Sequence, residues 1–211
     1  MLHCKTLLIL FLLLSFSDNW ELKRNKENIE VYTRRVTTSD FKELKCKTTV
    51  NASLSSIVKI LTDVDHYTDW VYKCVTATRV KNVNEAEVYS YQLFDAPWPL
   101  DDRDVVAQLK IIQDKKTKVV IATSVLADNL VPEIKGVVRI KNFHTKYVLT
   151  PKSNGMVEID YELGTEPGGI IPALLANLVM VNGPFETQQM MNALLQTPHY
   201  KTVKLDFITE P

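Results

Sequence analysis

Apolar and polar residues alternate from residue 29 (IEVYTRRV) and again over 41–50, so two hairpinned strands are expected to open the domain. Asn51 and Ser53 then offer capping side chains ahead of LSSIVKILT, whose Leu54, Ile57, Val58 and Leu61 share one helical face. A second helical turn is predicted over 65–71, where Tyr67, Trp70 and Val71 keep that spacing. Strand-like patterns return over 75–80, 88–94, 105–112, 118–125, 137–150 and 156–165, with turns at 82–84, 114–116 and 153–155. Short links between consecutive strands make an antiparallel meander.

From Ile171 the period changes to that of a long helix. In EPGGIIPALLANLVMVNGPFETQQMMNALLQ (166–196), Ile171, Leu174, Leu175, Leu178 and Val179 make one apolar stripe. Phe185, Met191, Leu194 and Leu195 continue it after an expected break at Asn182-Gly183-Pro184. About eight curved strands leave a face that must be covered, and this is the segment long enough to cover it. The predicted class is α+β, with the stripe facing the sheet. Either side chains fill the space beneath the helix, the commoner outcome for such domains, or the space is an apolar cavity for a ligand. Periodicity alone leaves both open.

Composition narrows the function classes. Lys and Arg number 25 against 25 Asp and Glu, which argues against a nucleic-acid surface, since that needs a basic field. No repeat or low-complexity tract is present. The first residues, MLHCKTLLILFLLLSFSDNW, carry a cation at Lys5, an apolar run from Leu7 to Leu14 and small residues around Phe16. That run is shorter than the roughly 20 residues of a membrane-spanning helix, so residues 1–17 are expected to be a cleaved signal peptide and 20–211 a single secreted or periplasmic domain. An uncleaved N-terminal anchor is the competing reading. Cys46 and Cys74 remain after cleavage; they could pair, but two isolated packed thiols fit their strand-like settings better. The four histidines are scattered and there is no Cys-x-x-Cys, so neither a metal site nor another cofactor is expected.

Four motifs carry a family resemblance. DVDHYTDW (63–70), APWPLDDRD (96–104), GVVRI (136–140) and EPGGIIP (166–172) with a following NGP (182–184) occur in the order and spacing seen in START domains, the lipid-transfer domains related to steroidogenic acute regulatory protein. The chain resembles their phosphatidylcholine-transfer branch in particular, over about residues 20–196. The resemblance implies a helix-grip (START / Bet v 1-like) fold: a curved antiparallel sheet wrapped around a long, kinked C-terminal helix, with an apolar tunnel for one lipid. It also implies a lid made by that helix and by a loop over 127–135. The residues themselves suggest plainer roles: Pro97-Trp98-Pro99 a rigid aromatic turn, and Arg103 an ion pair with its flanking aspartates.

In VYSYQLF (88–94) hydrophobicity favours Tyr89, Tyr91 and Leu93 as the inward face, whereas the family register turns Ser90, Gln92 and Phe94 to the tunnel, with Val105, Ala107 and Leu109 on the next strand. The motifs fix the alignment, so the second is adopted. The expected lipid-binding set is completed by Tyr67, Phe143, Thr145, Leu175, Leu178 and Val179. Phosphatidylcholine carriers hold their headgroup with an arginine and an aromatic cage; Tyr67 stands in the arginine's place, and two cage positions are Gln92 and Val105. Sterol binders use a buried acid and an arginine, where this chain has Ser90 and Leu109. Neither specificity carries over.

The expected function is therefore non-catalytic binding, and transfer, of a single hydrophobic lipid by a monomer that touches membranes transiently and binds no nucleic acid. The alternative is an enzyme of the same superfamily, a polyketide cyclase or aromatase, for which His66 with Asp63 or Asp69 would be the acid-base candidate.

Overall fold

In the computed structural model, residues 20–211 are described, apart from 38, 40, 128, 170 and 172; for 82 and 173–179 the backbone alone is described. The expected signal segment, 1–17, lies outside the described residues, as do the side chains of Leu175, Leu178 and Val179.

Among the described residues ten strands form one sheet. They are β1 (Glu21–Lys26), β2 (Ile29–Arg35), β3 (Lys42–Val50), β4 (Cys74–Asn84), β5 (Glu87–Phe94), β6 (Asp102–Gln113), β7 (Val120–Leu126), β8 (Val137–Arg139), β9 (Asn142–Pro151) and β10 (Val157–Glu166). Their spatial order is β1-β2-β3-β10-β9-β7-β6-β5-β4, antiparallel throughout, with the short β8 lying parallel to the start of β6. Two strands exceed the expected eight. The segment β1, ELKRNK, is almost wholly polar because it is an exposed edge, and so shows no alternation. The pattern over 137–150 splits into β8 and β9 at Ile140 and Lys141.

Between β3 and β4 run α1 (Leu54–Thr62) and a 3-10 helix, Val64–Asp69. The Ser53 hydroxyl caps α1, accepting from the Ser56 N–H at 3.1 Å. Glu210 completes the cap from the far end of the chain. Its carboxylate accepts from the N–H groups of Leu54 and Ser55, both at 2.9 Å, and from the Ser55 hydroxyl at 2.7 Å. A carboxylate there satisfies orphan donors and complements the positive end of the helix dipole.

The helix α2 (Ala173–Leu194) packs on β2 and β3, and α3 (Pro198–Lys201) follows and packs on α1. The expected break at 182–184 is not a gap between two helices, because the chain stays helical through Pro184. Proline removes one N–H donor there, so one rung of the ladder is missing.

Strand register arranges the interior in rows. Val31, Cys46, Tyr161, Tyr147, Ala122 and Ile111 pair in succession from β2 across to β6, and all are buried. This row belongs to the main core with α1, with Met191 of the C-terminal half of α2 and with Leu195 just after it, both buried. Cys46 and Cys74 are both free and buried, and burial pushes their thiols up to about 12 and about 11.

Candidate functional site: a cavity between the sheet and the terminal helix

Two residues along each strand from the core row, the next inward row is Leu44, Leu163, Thr145, Ser124 and Leu109, again paired strand to strand. Leu44, Leu163 and Leu109 border the core on one side and open space on the other. All five line a cavity of about 310 Å³, closed on other sides by Tyr67, Trp70 and Tyr72 near the 3-10 helix and by Met180, Gly183, Pro184 and Thr187 of α2. Tyr147 and Tyr161 of the preceding row reach the same cavity, so the core grades into it along the sheet.

The helix approaches closely where the sequence lacks a side chain. A Cβ on Gly183 would lie 3.1 Å from the Tyr72 ring, and the Tyr72 N–H donates to the Thr187 hydroxyl at 3.0 Å. On its other side, Arg24 of β1 stacks 3.5 Å from the centre of the Phe185 ring and donates to the Asn182 side-chain oxygen at 3.1 Å. Gln189 donates to Glu27 at 2.7 Å. The half of α2 from Asn182 onward is thus tied down by β1 and by Tyr72.

Among the residues singled out from the sequence, Tyr67, Gln92, Phe94, Leu109, Phe143 and Thr145 lie on the cavity wall. Ser90, Val105 and Ala107 are buried beside it without lining it. On β5 the inward face is the one carrying Gln92 and Phe94, against the more hydrophobic alternative.

Several polar groups are already engaged. The Tyr67 hydroxyl donates to the Leu61 carbonyl at 2.5 Å while its ring meets Trp70 edge-on, and burial raises its phenol well above the ordinary range. Tyr147 and Tyr161 stack at 4.4 Å, and burial raises both phenols likewise. The Gln92 amide nitrogen donates to the Ser90 hydroxyl at 3.0 Å. Three wall residues instead bury a polar atom that has no partner among the described residues: Nε1 of Trp70, Nε of Arg103 and the hydroxyl of Thr165.

Arg103 corrects an expectation. It makes no ion pair with its neighbouring aspartates, because alternation along β6 sends Arg103 to the cavity and Asp104 to the other face. There Asp104 accepts two hydrogen bonds from Arg139 of β8, at 2.6 and 3.0 Å. Arg139 also donates to the carbonyls of Val131 and Pro132, at 3.1 and 3.2 Å, fastening the 127–135 loop.

The acid-base candidates gather elsewhere. His66 Nδ1 lies 2.8 Å from Asp69, which raises the imidazole pKa; Asp63 accepts from the Tyr200 hydroxyl at 3.2 Å and has His199 Nε2 at 3.7 Å. Asp63, His66 and His199 bring their ligand-type atoms within 4.8 Å of one another, a convergence invisible in sequence because His199 comes from α3. None of them lines the cavity.

A single antiparallel sheet that packs a terminal helix over a mostly apolar cavity is the helix-grip architecture. The comparisons place the chain within that architecture. The family model for the START domain matches residues 7–201, and the chain belongs to the START domain family. It is 30% identical over 174 residues to an uncharacterized protein of Pseudomonas aeruginosa, covering 82% of this chain and 85% of that one. The crystal structure of a STAR-related lipid transfer protein from Xanthomonas axonopodis is 28% identical, with a TM-score of 0.78 over 85% of this chain and all of that fragment. Human StAR-related lipid transfer protein 5, at 12% identity, shares the fold with a TM-score of 0.74, over 87% of this chain and 89% of its own.

Proposed function

We propose that this protein binds one hydrophobic lipid in the cavity and carries it between membranes. The observation that supports the reading is the row of strand residues that leaves about 310 Å³ open beneath α2 where a filled core would otherwise continue. Each methylene kept from water contributes about 0.8 kcal/mol, so a chain enclosed there leaves a bilayer with most of its desolvation already offset. The Xanthomonas protein's description as a lipid transfer protein agrees with this. Its test is mass spectrometry of ligand extracted from the purified protein, followed by transfer between two vesicle populations. Recovery of a lipid together with faster exchange is expected; a protein that yields no lipid and leaves exchange at the blank rate would overturn the reading.

Entry needs one side of the container to move. The half of α2 beyond Asn182 is tied to β1 and Tyr72, so we assign the motion to residues 171–181, hinged at the missing rung of Pro184, or to the 127–135 loop, whose opening would have to release the Arg139 hydrogen bonds to Val131 and Pro132. Trp98 is 91% exposed on the loop that contributes Pro97 and Leu100 to the wall, and an exposed indole at a cavity mouth suits the bilayer interface. In this reading the protein touches membranes transiently and works as a monomer. Among the described residues no helix is long and apolar enough to cross a membrane. Export guided by residues 1–17 would set the chain to work in the periplasm or outside the cell; N-terminal sequencing of the mature protein tests this.

Within the family the motifs ally the chain with the phosphatidylcholine-transfer branch, while Tyr67, Gln92 and Val105 give it a different headgroup end. Transfer requires no catalytic group, and the His66 cluster stands off the cavity wall, so we read the protein as a carrier and not as a cyclase.

A further inference from the structure

We infer that the cavity takes an anionic, single-chain amphiphile whose head group is held by Arg103; this rests on the lipid-binding reading above. The guanidinium is buried, with Arg103 8% exposed, on the wall of a mostly apolar space. Among the described residues its Nη1 donates only to the Asp101 carbonyl, and Nε has no partner. Both adjacent carboxylates are engaged elsewhere: Asp104 by Arg139, and Asp102 by the Ala96 N–H at 3.1 Å. Among the described residues none forms an ion pair with Arg103.

A buried charge without a counter-charge is costly. A guanidinium is also the side chain best shaped to take a carboxylate or phosphate through two parallel N–H bonds. The other charges on the wall do not answer it, since Lys73 and Asp95 pair with each other at 2.8 Å and Lys42 is a second cation.

The remaining orphans agree in sign. Trp70 Nε1 can only donate, and the Thr165 hydroxyl can donate as well as accept, so the unpartnered polar atoms of the wall ask for an acceptor-rich head. Size selects one chain over two: a cavity of about 150 Å³ holds one benzene, and this one is about 310 Å³. Carboxylate and phosphate heads share the required chemistry.

The test is displacement of the neutral fluorophore N-phenyl-1-naphthylamine at pH 8 by dodecanoate, by methyl dodecanoate and by dodecyl phosphate. Dodecanoate is expected to displace at a concentration at least about tenfold lower than its ester, the range of a hydrogen bond to a charged group. Arg103→Met should abolish that preference while retaining the ester's affinity, and Arg103→Lys should keep part of it. Should Arg103→Met fail to fold, the acid-ester comparison on the unaltered protein and on Arg103→Lys still decides. Stronger displacement by dodecyl phosphate identifies a phosphate head, and the reverse order a carboxylate; both support an anion site. Equal potency of acid and ester, or a preference that survives Arg103→Met, overturns the head-group assignment but leaves lipid binding standing. Failure of all three ligands, and of the fluorophore, to bind removes both.

Discussion

The Asp104 carboxylate is 1% exposed and receives both of its hydrogen bonds from an Arg139 side chain that is 7% exposed. Replacing one partner of such a buried pair strands the other, at a cost of about 3–5 kcal/mol. Asp104→Asn should therefore lower stability by that amount in urea denaturation, whereas Glu133→Gln, in a pair exposed at 63% and 78%, should change it by less than about 0.5 kcal/mol. His66 gives a pH signature. Asp69 raises its pKa in the folded protein above the unfolded value, so the contact contributes stability below that unfolded value and loses it as pH rises through the folded one. NMR titration should find His66 above the usual histidine range, and Asp69→Asn should bring it down. At this scale the sequence was least legible. Arg103 between two aspartates reads as an ion pair, and only the pleat of β6, together with the parallel β8 that supplies Arg139, separates it from Asp104.

Elements built on strong local patterns were readable: α1 follows from its capping serine and apolar face, and the alternating strands β2, β3 and β5–β7 fall close to their expected spans. Elements held by tertiary context were not. The polar edge β1 has no period, yet it supplies Arg24, and the turn that follows it supplies Glu27, to hold α2. On β5 hydrophobicity pointed to the wrong face, because a cavity wall tolerates Gln92 where a filled core would not. The contact between Glu210 and the first turn of α1 had no signal in sequence, since 156 positions separate the carboxylate from the Leu54 N–H. Glu210→Ala removes three charge-assisted hydrogen bonds at one helix terminus and should cost about 1–2 kcal/mol. A lower urea midpoint with an unchanged slope would be the readout.

For the whole molecule, the proposed function makes binding and delivery separable events. Trp98→Ala leaves the cavity wall intact, so it should slow transfer between vesicles several-fold while the affinity for a soluble short-chain ligand stays the same. A parallel loss of both would mean that Trp98 serves the cavity itself. The capped helix α1 also bears on how the molecule is made. Ribosomal synthesis delivers residues 54–62 early, but their terminus is completed only when residue 210 has emerged, and Tyr200 likewise supplies the carbonyl that accepts the Ser56 hydroxyl at 2.7 Å. The first turn of α1 therefore lacks these partners until residues 200 and 210 have both been made, so its final contacts form after those of the sheet that precedes them in the chain.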